Sequence, residues 1–274
     1  MQVSNNTISP NVYNNLNNTL NKIATGNSVN QSSDNASSLA IANNLLAQAN
    51  GFSQAIENTN SGIALTQIAQ SATNSQSEIL DTVKEKLSQA STDTTSQDGR
   101  GALLKDIKGL INQFDQIASS TNFSGNTLLQ NSPNDPNKSQ SLQFQAGIEN
   151  SSLIEATGVQ SNSLGLGLDA LKNQNSATVS AEDARNFLDD VNNALNKLDD
   201  IRSEFGSTQT QLESSSKNLI SQHNKTLVSQ SVYNTDYGKE SATFSKQNIL
   251  AQLGAFGAAQ SNNINQESVT RLLS

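Results

Sequence analysis

Val191, Leu198, Phe205, Leu212 and Leu219 stand seven residues apart without a miss. Leu188 and Leu195 fill a second set of positions beside them. An apolar repeat of seven, sustained over five positions, places one narrow stripe along an α-helix. The pattern fits a coiled-coil-like bundle member better than an ordinary amphipathic surface helix. The spacing predicts a helix from about Ala181 to Gln230, with Ser180 as N-cap and Asp183 three residues on.

The remaining long elements repeat this theme. A second long helix is expected from about Ser37 to Ala90, with a seam of Leu45, Phe52, Ile56, Ile63, Ile68, Ile79, Val83 and Leu87. Ser91 to Gly101 reads as a polar turn with Gly99 and Gly101 as breakers. A third helix follows from about Ala102 to Ser119, with Leu103, Ile107, Leu110, Phe114 and Ile117 inward. Between Thr121 and Leu171 the character changes. Pro133 and Pro136 mark a loop, and Leu142, Phe144 and Ala146 alternate with glutamines as in a strand. Ile148 and Leu153-Ile154 are candidates to continue a small sheet, and Lys172 to Ser180 reads as a linker. The predicted fold class is mainly α, a long-helix bundle or coiled coil with a small β-region.

Both ends carry apolar stripes that a single thin bundle leaves uncovered. Ser9 and Pro10 read as N-cap and first helical position of a helix that Gly26-Asn27 can end near Thr25. On it Val12, Leu16, Leu20 and Ile23 recur at spacings of four, four and three. Gln31 to Asn35 reads as a hinge before the next helix. A last helix is expected from about Asp236 to Leu273. On it Phe244, Ile249, Leu250, Leu253 and Phe256 read as one face, and Leu272 and Leu273 close the chain. Ala251, Gly254 and Ala258 form a small-residue face on which a helix can approach closely. From Met1 to Ser33 the only charged residue is Lys22. Two apolar, amide-rich ends suggest helices that pair with each other and order against neighbouring copies.

Composition narrows the function classes. Asn, Gln, Ser and Thr make up nearly half of the 274 residues, aromatics only 4%, so the apolar content suits thin bundles rather than one thick core. The net charge of −8 and the lack of any basic cluster argue against a nucleic-acid partner. No cysteine is present, which excludes disulfides and thiolate chemistry. Met1 to Ala24 has neither a basic nor an apolar signal region, and no apolar run is long enough to span a membrane.

Chemistry of an active site is not expected. His223 is the single histidine and falls on the heptad helix, so it reads as a seam or surface residue. Asp189-Asp190 and Asp199-Asp200 resemble carboxylate pairs, but Lys197 and Arg202 interleave them and a solvated face is the better reading. Gly165 and Gly167 lack the surroundings of a phosphate loop. No catalytic, cofactor-binding or metal residue is assigned.

Several stretches resemble bacterial flagellins. The run from Ser38 to Gln48, SLAIANNLLAQ, is similar to the family's "GLAIAxxLRAQ", and Gly62 to Gln67 to "DGISLLQT". Thr121 to Leu129 resembles "TxFNGxxLL", and Phe144 to Gly147 resembles "FQVG". Phe244 to Gln252, FSKQNILAQ, is nearly identical to the family form, and Ala258 to Asn262 follows like "LAQAN". Arg271-Leu272-Leu273 resembles the usual close.

The resemblance implies paired terminal helices at the inside of a helical filament and an outer rod. The inner assembly domain would comprise residues 1–42 and 232–274. The rod would comprise 43–231, with its small β-region about 126–170 and the linker at 172–180. The implied function is a structural subunit that polymerises into the bacterial flagellar filament for motility. Two alternatives stay open: a secreted paralogue acting as soluble effector or adhesin, and a hook–filament junction protein. The expected polymer interface is Val12, Leu16, Leu20, Ile23, Phe244, Ile249, Leu250, Leu253, Phe256 and Leu272. The implied partners are other copies of the chain, hook-junction and cap proteins, a flagellar export chaperone and the type III export apparatus. Localisation would be extracellular, in the flagellum.

The family resemblance also implies a receptor-facing stretch, "QRxRELAVQ"-like, read by Toll-like receptor 5. The aligned residues run from Asp81 to Gln89, with Glu85 and Gln89 matching and Thr82 and Lys84 in place of arginines. Threonine has no planar fork of donors and lysine only a point charge, so weak recognition is expected.

Overall fold

The computed structural model describes the backbone of residues 10–132 and 137–273, and the side chains of 11–132, 137–257 and 260. Seven helices and four short strands lie in the described residues. They are α1 (Pro10–Thr25), α2 (Ser32–Ala90), α3 (Gln97–Ser120), β1 (Asn122–Phe123), β2 (Asn126–Thr127), β3 (Leu142–Gln145), β4 (Leu153–Ala156), α4 (Ser163–Leu166), α5 (Asp169–Asn173), α6 (Ala181–Ser231) and α7 (Tyr237–Leu273). The fold is mainly α, with long helices and a small β-region. The N-cap read at Ser9 lies outside the described residues. No described helix is long and apolar enough to cross a membrane.

The chain divides into two compact units, Met1–Asn50 with His223–Ser274, and Gly51–Gln222. In the second unit the heptad of α6 is buried throughout: Ala184, Val191, Leu198, Phe205, Leu212 and Leu219, each seven residues from the last. Its counterpart in α2 differs from the expected seam. Two complete seven-residue series are buried there: Phe52, Thr59, Thr66, Thr73, Leu80, Leu87, and Ala55, Gly62, Ala69, Gln76, Val83, Ala90. Of the predicted seam only Phe52, Val83 and Leu87 are fully buried, Leu45, Ile56, Ile63 and Ile79 are half-buried, and Ile68 is exposed. The reason is complementary volume. Small side chains on α2 receive large ones on α6, as at Gly62, where a Cβ would lie 2.9 Å from Leu212 Cδ1 and 3.1 Å from Phe144 Cγ. The buried threonines remain satisfied by donating back to their own helix: Thr59 to the Ile56 carbonyl at 2.9 Å and Thr66 to that of Ile63 at 2.8 Å.

α3 corrects a second expectation. Gly99 and Gly101 lie inside the helix, not in a turn before it, because Ser96 caps it three residues before Gly99 by accepting that residue's N–H at 3.1 Å. Gly101 is glycine for proximity: a Cβ there would lie 2.6 Å from the Ser176 carbonyl oxygen. The inward face is Leu104, Ile107, Ile111, Phe114 and Ala118, while Leu103, Leu110 and Ile117 are only half-buried. Leu104, Ile107, Ile111 and Phe114 pack with Leu80, Leu87, Leu171 and Leu198 into the largest core cluster, and Ala118 packs in a second one with Leu65, Ala69 and Phe205.

The β-region is two antiparallel hairpins. β1 pairs β2, and β3 pairs β4 with Phe144 opposite Ile154. Ile148 sits in the connecting turn, not in the sheet. Asp115 of α3 ties down the segment that follows, accepting the Ser163 N–H at 2.7 Å, the Ser163 hydroxyl at 2.8 Å and the Lys172 ammonium at 2.5 Å. The expected cap of α6 is present as a reciprocal box. Asp183 N–H donates to Ser180 Oγ at 3.0 Å, while Ser180 N–H and hydroxyl both donate to Asp183 Oδ2 at 2.8 Å. Those donations hold the Asp183 carboxyl below its ordinary pKa, the Ser180 backbone N–H contributing most.

Candidate assembly interface

The first unit is built around the two terminal helices. α1 ends at Gly26, whose φ of +73° suits glycine, and whose missing Cβ leaves room for the Tyr237 hydroxyl 2.8 Å from where it would stand. An antiparallel bridge pairs Asn27 with Asn234. The Ser28 N–H and hydroxyl both donate to the Tyr233 carbonyl at 2.8 Å, and Thr235 N–H donates to Gly26 O at 2.8 Å. This clamp turns the chain so that α1 enters it and α7 leaves it side by side. Further along, the Thr19 hydroxyl donates to Gln247 Oε1 at 3.0 Å, with Thr19 itself buried.

The pairing sorts the predicted interface residues into two sets. Val12, Leu16 and Ile23 of α1 and Phe244 of α7 are half-buried, and Ala251 is buried. Ala251 and the half-buried Gly254 form the small-residue face foreseen from the sequence, whereas the side chain of Ala258 lies outside the described residues. At 3.6 residues per turn, Ile249, Leu253 and Phe256 stand on the side of α7 opposite to Phe244 and Ala251. They are 57%, 61% and 70% exposed, with Leu250 beside them at 48% and Leu20 of α1 at 43%. The single α7 face expected from sequence is therefore two faces, because Ile249, Leu253 and Phe256 fall about half a turn from Phe244. The side chain of Leu272 lies outside the described residues.

The receptor-like stretch lies on the outer side of α2. Thr82, Lys84, Glu85 and Gln89 are exposed, while Val83 and Leu87 between them are buried in the core. Thr82 donates to the Glu78 carbonyl at 3.0 Å, Gln89 to Glu85 at 3.5 Å, and the neighbouring Lys86 pairs with Asp106 at 3.0 Å.

The other candidates stay apart. His223 Nδ1 lies 3.1 Å from the Ala49 carbonyl, a contact between α6 and α2. Arg202 pairs with Asp199 at 3.1 Å. Among the described residues no three potential metal-ligating side chains gather. Sequence reasoning missed a groove of about 210 Å³ beside the clamp, lined by Val29, Leu39, Leu46 and Tyr233 among others. It is made by a loop and two helices distant in sequence, so no local pattern marks it.

Comparison with known proteins places this architecture. The model of the bacterial flagellin N-terminal helical region matches residues 1–134, and that of the bacterial flagellin C-terminal helical region matches residues 188–273. Flagellin A of Helicobacter felis is 36% identical over 172 residues, covering 63% of this chain and 32% of that relative. The chain thus spans about a third of the length of that relative. The flagellar filament 31.3 kDa core protein of Treponema maltophilum is 24% identical over 257 residues, 92% of this chain and 90% of its own. The crystal structure of Bacillus cereus flagellin shares the fold, with a TM-score of 0.52, 23% identity, and coverage of 60% of this chain and 88% of that one. Both helical regions are matched, in order, around a β-region of the expected kind, and the chain belongs to the bacterial flagellin family.

Proposed function

We propose that this chain is a structural subunit that polymerises into the bacterial flagellar filament, acting by assembly and not by catalysis. One observation carries the reading: the apolar stripe Ile249, Leu253 and Phe256 faces away from α1, the helix that α7 pairs with. A soluble chain that kept this surface in water would lose roughly 25 cal/mol for every Å² left uncovered. Neighbouring subunits remove that cost. The interface would comprise Val12, Leu16, Leu20, Ile23 and Phe244 at the α1–α7 pair, Ile249, Leu250, Leu253 and Phe256 outside it, and Leu272 near the end.

In this reading residues 1–42 and 232–274 form the inner assembly domain and 43–231 the rod. The protein would be exported through the type III apparatus with a chaperone, meet junction and cap proteins, and reside in the extracellular flagellum. The exposed Thr82, Lys84, Glu85 and Gln89 would face Toll-like receptor 5 and bind it weakly. The test is electron microscopy of the purified protein, seeded with filament fragments or salted out. Long tubes are expected. Monomer alone, under both conditions and at high concentration, contradicts the reading and favours a soluble effector.

A further inference from the structure

Asn35 to Ile56 in α2 and Gln247 to Gln266 in α7 carry no charged side chain, as is also true of Met1 to Asn21 and Asn58 to Ser77. Charges recur along α6, from Glu182 to Lys225. Leu39, Asn43 and Leu46, in the uncharged part of α2, line the groove of about 210 Å³ together with Val29 and Tyr233. No charged residue lines it. The uncharged part of α7 carries the outward stripe of Ile249, Leu253 and Phe256.

The two surfaces suit each other and cannot meet within one chain. The groove lies at the start of α7, since Tyr233 and Asn234 line it. At 1.5 Å per residue, Phe256 stands roughly 30 Å further along the helix. We propose that the stripe of one copy docks in the groove of the next, with Phe256 entering between Leu39, Leu46 and Tyr233. This rests on the filament reading and names the surfaces that carry it. A charged partner on either side would bury an uncompensated charge, whereas two uncharged faces bury only apolar and amide groups. The amides of Asn43 and Gln230 in the groove lining can pair with the amide-rich flanks of the stripe, such as Gln252 and Gln260. The contact joins two different patches, so it is heterologous and can propagate without closing. Copies that keep the same orientation are then offset by roughly 30 Å along the α7 axis.

The chain contains no cysteine, which makes cross-linking clean. Asn43→Cys places a thiol on an exposed position of the groove wall, and Gly257→Cys places one beside Phe256 where a Cβ meets nothing within 4 Å. Both variants, one carrying a mass tag, are doped into excess wild-type protein, polymerised under reducing conditions and then oxidised. The expected result is a disulfide-linked dimer joining one of each kind, formed only when both are present. Filaments that contain both variants yet give no mixed dimer overturn the docking and leave the filament reading standing. Failure of the wild-type protein to polymerise overturns both. A second measurement needs no thiol. Leu46→Ala and Phe256→Ala should each raise the critical concentration for elongation about tenfold. The double variant should be little worse than either alone, because the two side chains share one contact. A rise of about a hundredfold, the product of independent effects, overturns the pairing.

Discussion

Replacing Phe205 by alanine separates the core of the chain from its assembly surface. Phe205 is 3% exposed and packs in the cluster of Leu65, Ala69, Ala118, Leu128, Leu129 and Val159, where α2, the end of α3 and the β-region converge. A buried phenylalanine removes about 150–250 Å² from water, worth roughly 4–6 kcal/mol at about 25 cal/mol per Å². Alanine keeps a small part of this, and the surrounding helices cannot fully close over the void. The expected loss is about 3–5 kcal/mol, a large fraction of the roughly 5–15 kcal/mol that holds a typical domain. The assay exploits the distribution of chromophores. The chain has no tryptophan and three tyrosines, Tyr13, Tyr233 and Tyr237, all in the unit formed by the chain ends. Urea unfolding of monomer followed by far-ultraviolet circular dichroism should therefore show a lower midpoint for the main helical transition. Tyrosine fluorescence should report a terminal-unit transition that is hardly moved. Phe256→Ala, at a 70% exposed position, should shift the monomer by about 0.5 kcal/mol or less. An unchanged dichroism midpoint for Phe205→Ala would refute the seam, and would mean that the α6 heptad faces solvent or a neighbouring copy.

Three further outcomes follow from particular contacts. Gly101→Ala should destabilise the chain by about 1–2 kcal/mol in thermal melting, because the added Cβ meets the Ser176 backbone oxygen and overpacking outweighs the helix-propensity gain of about 1 kcal/mol; a stabilised variant would show that the loop yields. Asp183→Asn should cost about 1 kcal/mol near neutral pH through loss of the capping box. Since the folded carboxyl titrates below its unfolded value, that contribution is full above the ordinary carboxylate pKa and is lost as pH falls through the lowered one, so the gap between variant and wild type should narrow as the solution is acidified below the ordinary carboxylate range; a gap that stays constant through that acidification would contradict the role. In a receptor reporter assay the Thr82→Arg/Lys84→Arg variant should gain about tenfold in potency over the native chain, and strong native signalling or no gain counts against the reading of that stretch.

How far the structure could be read ahead of time depended on which side chains do the packing. The α6 seam was legible because Val191, Leu198, Phe205, Leu212 and Leu219 are large and apolar at one period. The α2 seam was not, although its period is equally strict. Its buried positions are threonine, alanine, glycine and glutamine as often as leucine, and hydropathy does not register a threonine that is buried because a large residue opposite needs the space. Ile68 misled for the converse reason, being large, apolar and exposed. Gly99 and Gly101 read as breakers because glycine's conformational freedom is a commoner signal than its small size, yet Gly101 serves a close backbone approach. The Ser180–Asp183 box could be recognised because its chemistry is local. At the candidate interface the apolar residues of α7 were all visible, but their division into an inner and an outer face needed the position of α1. The groove at Leu39, Leu46 and Tyr233 depends on the tertiary fold and left no trace in any one segment.

The central claim is that the outward stripe of α7 holds subunits together, and Leu253→Asp tests it most directly by sedimentation of polymer from monomer across a concentration series. Leu253 is 61% exposed, so the substitution should leave the monomer's far-ultraviolet dichroism and unfolding midpoint unchanged. In a polymer the carboxylate would be buried without a partner, which costs several kcal/mol per contact and should raise the critical concentration by at least a thousandfold, leaving no filaments at accessible concentrations. Filaments forming at the wild-type critical concentration would contradict the claim and move the assembly surface elsewhere on the chain.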